Sequence, residues 1–345
     1  MRPYEWEPPS AAIARQAGIP EDQVIRFDTN TSPWPGASLQ NLPQQAVNEY
    51  PDTGYGALTE AISQYADTPT DRIIVGAGAD EILDMIARSY IGEGSAVVLS
   101  RPTYPMFTVL GEMAGGSIDA VQARDLRLDR AAFLQRARSA QLSWLSNPNN
   151  PTGELLPLDF IADLAAQTPG VLVLDEAYFE FSGVTALPLI DTMPNVVIVR
   201  TLSKGFALAG ARVGYSLAGP SITEVLRRVR PPGSISGVSA ALGVQTLGDV
   251  DGMRRRVAFI TAERSRLQAE LASLGLEVQP SAANFLLVRA GPGAASNLLR
   301  EGLVVRTFPS TSVLAGSIRI TVRRPEENER LLQALKRSLA TTIGA

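Results

Sequence analysis

The feature that most constrains this chain is an ordered alternation of short β-rich apolar runs with helical patterns between about residues 72 and 218. Short β-rich runs recur there: "RIIVGAG", "SAVVLSRP", "QLSWLSNP", "GVLVLDEAY", "NVVIVRT" and "ARVGYSLAG". Most are separated by segments whose apolar residues repeat with helical spacing, such as "DEILDMIARSYI", "DRAAFLQRARSA" and "LDFIADLAAQT". A short apolar run rich in β-branched residues suits a strand and period 3.6 a helical stripe, so each stretch reads as one kind of element. Strand, helix, strand in repeated order predicts an α/β fold, a mostly parallel sheet covered by helices on both faces. Ligands of such sheets bind outside the carboxyl ends of the strands.

The alternation stops at "RPPGS" (230–234), because Pro231 and Pro232 cannot continue a helix. Helical stretches then run to about residue 274, followed by "NFLLVRA", "LVVRTF", "SIRITV" and the closing helix "PEENERLLQALKRSLATTI". The expected organisation is a large domain over 41–235 and a smaller α+β unit with its linking helices over 236–345. The arm of residues 1–40 is expected to join the smaller unit. A length of 345 residues with 45% hydrophobic content is enough for two sizeable cores.

Two absences narrow the chemistry. Without cysteine there are no disulfides, thiolate metal sites or cysteine nucleophiles. Without histidine there is no Ser-His-Asp hydrolysis, His-ligated zinc or His acid/base catalysis. Proton transfer must use Lys, Tyr, Asp or Glu, and no metal is expected. A net charge of −4, with no long block of one sign, disfavours nucleic acid as a partner. The segment "MRPYEWEPPSAAIARQ" has no secretory apolar stretch and no run is long enough for a membrane span, so the expected location is cytoplasmic.

Three stretches carry the candidate chemistry. Asp175 closes the apolar run "VLVLD", at a strand's carboxyl end, where a carboxylate is costly unless a cation meets it. "GAGADE" (76–81) joins a strand to a helix, and the N–H groups of a first helical turn bind phosphate. It lacks the full G-x-G-x-x-G pattern, so a dinucleotide is not favoured. "RTLSKGFALAGARVGY" (200–215) sets Lys204 among small and apolar residues that disfavour solvation of its amine. Such a lysine loses proton affinity and can condense with an aldehyde. Thr201, Ser203 and Arg212 supply hydroxyls and a donor fork suited to a phosphate monoester. Pyridoxal 5′-phosphate joins all three, through its aldehyde, its phosphate and its ring nitrogen.

"NPNNPTG" (147–153), "DEAY" (175–178) and "TLSKGFALAGARVGY", in this order, resemble class I/II aminotransferases of fold type I over nearly the whole chain. "NEYPDTGYGAL", "GAGADE", "RPTYPMF" and "IRITVRRPEEN" are most similar to histidinol-phosphate aminotransferases of histidine biosynthesis. The resemblance implies transamination between L-histidinol phosphate and 2-oxoglutarate, giving imidazole acetol phosphate and L-glutamate. It implies Lys204 as tether and proton carrier, with Asp175 on the ring nitrogen. Asn150 and Tyr178 fall on the ring's phenolic oxygen, and Tyr104 against its face. The backbone at Ala79 and Asp80 falls on the phosphate. Tyr50 is implied to reach the cofactor of a second subunit, hence a homodimer. Arg319, with Asn30 and Arg306, is implied to hold the substrate's acidic group.

Two departures concern the substrate: Arg323 and Arg324 replace the usual Gly-Thr after "RITV", and Pro8 stands nearest the arm's usual Tyr. The alternatives are an aromatic or other amino-acid aminotransferase, a decarboxylase similar to threonine-phosphate decarboxylase, and a non-enzymatic cofactor-binding regulatory module.

Overall fold

The structure, a computed structural model, describes residues 7–42 and 48–343. The first six residues of the N-terminal arm therefore lie outside it. In chain order the strands are β1 (Ile25–Arg26), β2 (Ile73–Gly76), β3 (Ala96–Arg101), β4 (Ser117–Gln122), β5 (Leu142–Ser146) and β6 (Val171–Asp175). They continue as β7 (Val196–Thr201), β8 (Gly214–Ala218), β9 (Glu277–Val278), β10 (Phe285–Arg289), β11 (Leu303–Val304) and β12 (Ser317–Thr321). Seven form one sheet in the order β2-β8-β7-β6-β5-β3-β4. The expected α/β sheet is present.

β6 and β7 explain why their runs lack a period-2 pattern. Leu172, Leu174, Val196 and Ile198 enter one core, while Val171, Val173, Val197 and Val199 enter another on the opposite face. With helices on both sides every position is buried, so the strand reads as a continuous apolar run. A third core joins Ile25, Phe27, Leu286, Val288, Leu303, Ile318 and Ile320 with Leu331 and Leu335 of the helix Pro325–Ile343. It lies under the antiparallel sheet β12-β10-β9 and the parallel pair β1-β11.

Two strands differ from the sequence reading. β8 runs antiparallel to both neighbours, because the 202–213 link from β7 contains only the 3₁₀ turn Ala209–Ala211. A parallel return needs a crossover of a dozen residues or more, usually a helix. β4 was not anticipated: "SIDAVQ" is an edge strand in which only Val121 is buried, so it shows little apolar signal.

The carboxyl ends of β6 and β7 are pinned by a buried ion pair. Both partners, Glu176 and Arg200, are 2% exposed. Arg200 donates from Nε (3.0 Å) and Nη2 (2.9 Å) to one Glu176 oxygen, while the other accepts from the Ala186 N–H at 2.7 Å. Glu176 follows Asp175 directly and Arg200 precedes Thr201, so this pair fixes the strand ends that carry the candidate site. Removing one partner leaves an uncompensated charge. Glu176→Ala is expected to destabilise the protein by about 3–5 kcal/mol, while Glu176→Leu with Arg200→Met costs far less. Denaturant unfolding of the three proteins checks this ordering.

Candidate active site

Asp175 is the last residue of β6 and is 5% exposed. One of its oxygens accepts from the Ala177 N–H at 3.0 Å. Burial pushes its carboxyl up to about 7; the negative charge of Asp80 adds to this, and the Ala177 N–H and the Lys204 amine oppose it.

Lys204 stands three residues past the end of β7, its Nζ donating to the Thr29 carbonyl at 3.4 Å and lying 5.9 Å from the centroid of the Tyr178 ring. Burial pushes its amine down to about 8, followed by the charges of Arg319 and Arg212, against Asp80 and Asp175. The loop is held close behind the lysine. A Cβ at Gly205 would lie 2.8 Å from Cβ and Cγ of Glu180, so only glycine lets the chain approach that helix.

The Gly-rich turn behaves as its sequence implies. Gly78, with φ +84°, caps the helix Ala79–Tyr90, and no side chain bonds that helix's first turn from the cap position. A side chain at Gly78 would run into the Arg212 guanidinium. Arg212 Nη2 donates to Asp80 Oδ2 at 3.2 Å, and the Tyr104 hydroxyl donates to Asp80 Oδ1 at 2.9 Å. Asp80 thereby positions both groups. The Thr201 hydroxyl accepts from the Ser203 N–H (3.1 Å) and lies 2.8 Å from Ser203 Oγ and 3.1 Å from the Val213 carbonyl. It serves the turn first, leaving Ser203 as the outer hydroxyl.

β12 and the segments bonded to it supply the opposite wall. Arg319 of β12, 8% exposed, donates from Nη1 to Asn150 Oδ1 at 2.7 Å and from Nη2 to the Asp28 carbonyl. With Oδ1 accepting from Arg319, the Asn150 amide keeps both N–H donors to offer a ligand. Asn30, in the left-handed region at φ +52° that Asn tolerates, donates from Nδ2 to the Tyr178 hydroxyl at 2.9 Å. A phenol that accepts there can still donate its own proton. Asn30 is fixed in turn by Thr321, whose Oγ1 accepts its N–H at 2.9 Å, and by Asn284, which donates to its carbonyl at 3.1 Å.

Lys204, Asp175, Tyr178, Asn150, Thr201, Ser203, Arg212, Ala79, Asp80, Tyr104, Arg319 and Asn30 thus come from separate segments to one end of the sheet. Tyr50 does not join them. It is 94% exposed and lines a cleft of about 600 Å³ with Asp52, Tyr55, Val238 and Val244. Arg306 sits on the outer side of Arg319, with its Nη1 3.8 Å from Glu7 Oε1. Arg323 Nη2 bonds Glu327 at 3.0 Å, and Arg324 Nη2 donates to the Pro33 carbonyl at 3.1 Å, over the Trp34 ring. Sequence reasoning missed Asp80 as a side-chain anchor, and also Asn284, Thr321 and the Thr29 carbonyl.

Residues 25–335 match the aminotransferase class I and II family. The chain belongs to that family. A histidinol-phosphate aminotransferase of Roseiflexus castenholzii is 36% identical to this aminotransferase over 97% of its chain and 95% of the relative. The crystal structure of the histidinol-phosphate aminotransferase of Sinorhizobium meliloti in complex with pyridoxal-5′-phosphate superposes with a TM-score of 0.88. It is 30% identical and covers 97% of this chain and 96% of that one. The L-threonine-O-3-phosphate decarboxylase of Porphyromonas gingivalis has a TM-score of 0.78 at 22% identity over 92% of this chain and all of that one, a likeness of fold alone.

The titrations carry a signed consequence for the ligand-free aminotransferase. Asp175 titrates higher folded than unfolded, so its contribution is full below about pH 4 and lost as pH rises through about 7. Lys204 titrates lower folded, so its contribution is lost as pH falls through about 8. Both costs coincide between pH 7 and 8. Asp175→Asn, which keeps an acceptor for Ala177, is expected to raise the ligand-free Tm near pH 7.5 and to raise it distinctly less at pH 5. Melting curves at the two pH values check this.

Proposed function

We propose that this aminotransferase uses pyridoxal 5′-phosphate to move the amino group of L-histidinol phosphate to 2-oxoglutarate. One observation carries the reading: the buried strand-end carboxyl of Asp175, the Lys204 amine 5.9 Å from the Tyr178 ring, and Arg212 bonded to Asp80 against the Gly78 turn meet at one end of the sheet. The residues fit the cofactor at each of its functional groups. Asp175 is a buried carboxyl whose raised pKa falls when a protonated ring nitrogen meets it. The uncapped turn at Ala79 and Asp80, with Ser203, Thr201 and Arg212, forms a cradle for a phosphate. Asn150 and Tyr178 present donors for the phenolic oxygen, and Tyr104 stands beside Asp80 for the ring face. Histidinol phosphate as donor is supported by relatives of that name at 32–36% identity over nearly the whole chain.

When bound, the cofactor supplies a ring that accepts the electron pair left at the substrate's Cα. The chain does the rest. Lys204, its proton affinity lowered by burial, takes the proton from Cα and returns it on the far side of the transfer. Asp175 holds the ring nitrogen's proton, and its field acts where charge develops. Arg319, braced by Asn150 and Asp28, orients the substrate's acid group. Tyr50, exposed on a single chain, is useful to the phosphate of a second subunit, so the working form is a homodimer.

Lys204→Ala is expected to abolish steady-state turnover, and borohydride treatment of the wild-type holoenzyme to fix the cofactor's mass on the peptide carrying Lys204. Turnover surviving in Lys204→Ala overturns the chemistry. In a panel of donors read by glutamate formed, histidinol phosphate is expected to exceed phenylalanine at least tenfold in kcat/KM. Equality overturns the substrate and leaves the transamination standing.

A further inference from the structure

The two arginines of the proposed substrate site are locked side by side. Arg306 N–H donates to the Arg319 carbonyl at 3.1 Å, and Arg319 N–H to the Arg306 carbonyl at 2.9 Å. Residues that exchange both bonds in an antiparallel bridge carry their side chains on the same face, about 5 Å apart at Cβ. Arg319 is the inner member, bonded to Asn150 and acting on Lys204. Arg306 is the outer member, and an acid of this chain already faces it. Glu7 Oε1 lies 3.8 Å from Arg306 Nη1, and the two side chains are equally exposed, 18% each.

The placement of Glu7 is built from both sides. Its Oε1 accepts from the Thr307 N–H (3.3 Å) and hydroxyl (3.2 Å), next in chain to Arg306. The following residue, Pro8, gives its carbonyl to Arg26 Nη1 at 2.8 Å, just ahead of the helix Ser10–Ala17. Arg26 is itself held by both oxygens of Asp28, at 2.8 and 2.6 Å, and the Asp28 carbonyl receives Arg319. The arm and the arginine pair are therefore one bonded assembly.

We propose that Glu7 is a specificity-determining residue: an internal anion at Arg306 that every acidic substrate group docking there must face or displace. The proposal rests on the reading of Arg306 and Arg319 as the substrate's acid site. Its effect grows with the charge of the incoming group, so it weighs more on a phosphate dianion than on a carboxylate.

The test is calorimetric binding of two unreactive probes, glutarate and inorganic phosphate, to the holoenzyme, alongside steady-state kinetics with the oxo-acid acceptor. Glu7→Gln keeps an acceptor for Thr307 and removes the charge. It is expected to tighten glutarate roughly 3-fold and phosphate roughly 10-fold, because the interaction energy doubles with the charge. The acceptor's KM is expected to fall in step with the Kd for glutarate while kcat is held. Glu7→Ala is expected to move both probes in the same direction. If Glu7 is only a tether for the arm, Glu7→Gln stays at wild type and Glu7→Ala weakens both probes, which overturns the proposal. Arg306→Ala separates the premise: binding lost there but unmoved in Glu7→Gln overturns Glu7 alone, whereas binding unmoved in Arg306→Ala overturns the acid site as well.

Discussion

A carboxyl and an amine kept from water at the ends of adjacent strands set the terms for this site. Asp175 is pushed up to about 7 and Lys204 down to about 8 in that setting, and burial is the first cause for both. The fold can sustain this because the strand ends are pinned beneath them. Glu176 and Arg200 form a buried ion pair, and each is one residue from a group of the proposed cofactor site, Asp175 or Thr201. Perturbed titrations cluster where chemistry is done, and here they sit at the end of β6 and just past the end of β7, two strands buried along their whole length.

Much of this was legible in the amino-acid order. Asp175 is readable because four apolar residues precede it, which forces a strand whose end must be buried. Lys204 is readable because its neighbours offer its charge nothing. Arg212 is readable as the fork eight residues on, although its contact with the Gly78 turn depends on β8 lying antiparallel beside β2. The reversal of β8 was readable only from a link that carries no crossover helix, since the apolar run looks the same in either direction. β4 was silent because an edge strand needs few apolar residues.

The polar frame around the site was less legible, for a physical reason. Asn30 depends on Tyr178, Asn284 and Thr321, at sequence separations of 148, 254 and 291 residues. A hydrogen bond between distant residues leaves no periodicity in either segment, and Asn, Thr and Asn are ordinary residues of turns and strand ends. Asp80 shows the opposite error. The sequence points to its backbone as a phosphate donor, whereas its carboxylate is the group that holds both Arg212 and Tyr104. Tyr50 was singled out by resemblance, and nothing in one chain gives it a partner near Lys204.

The long reach of those bonds bears on how the protein is made. During synthesis the large sheet, complete by residue 218, can fold while the last third of the chain is still to come. Asn30 emerges early, but Asn284, Arg319 and Thr321 emerge near the finish. Until then Tyr178 and Asn150 face water, and the nascent polypeptide carries its reactive lysine in a half-built pocket. On that order the pocket is closed only after residues 284 to 321 have emerged.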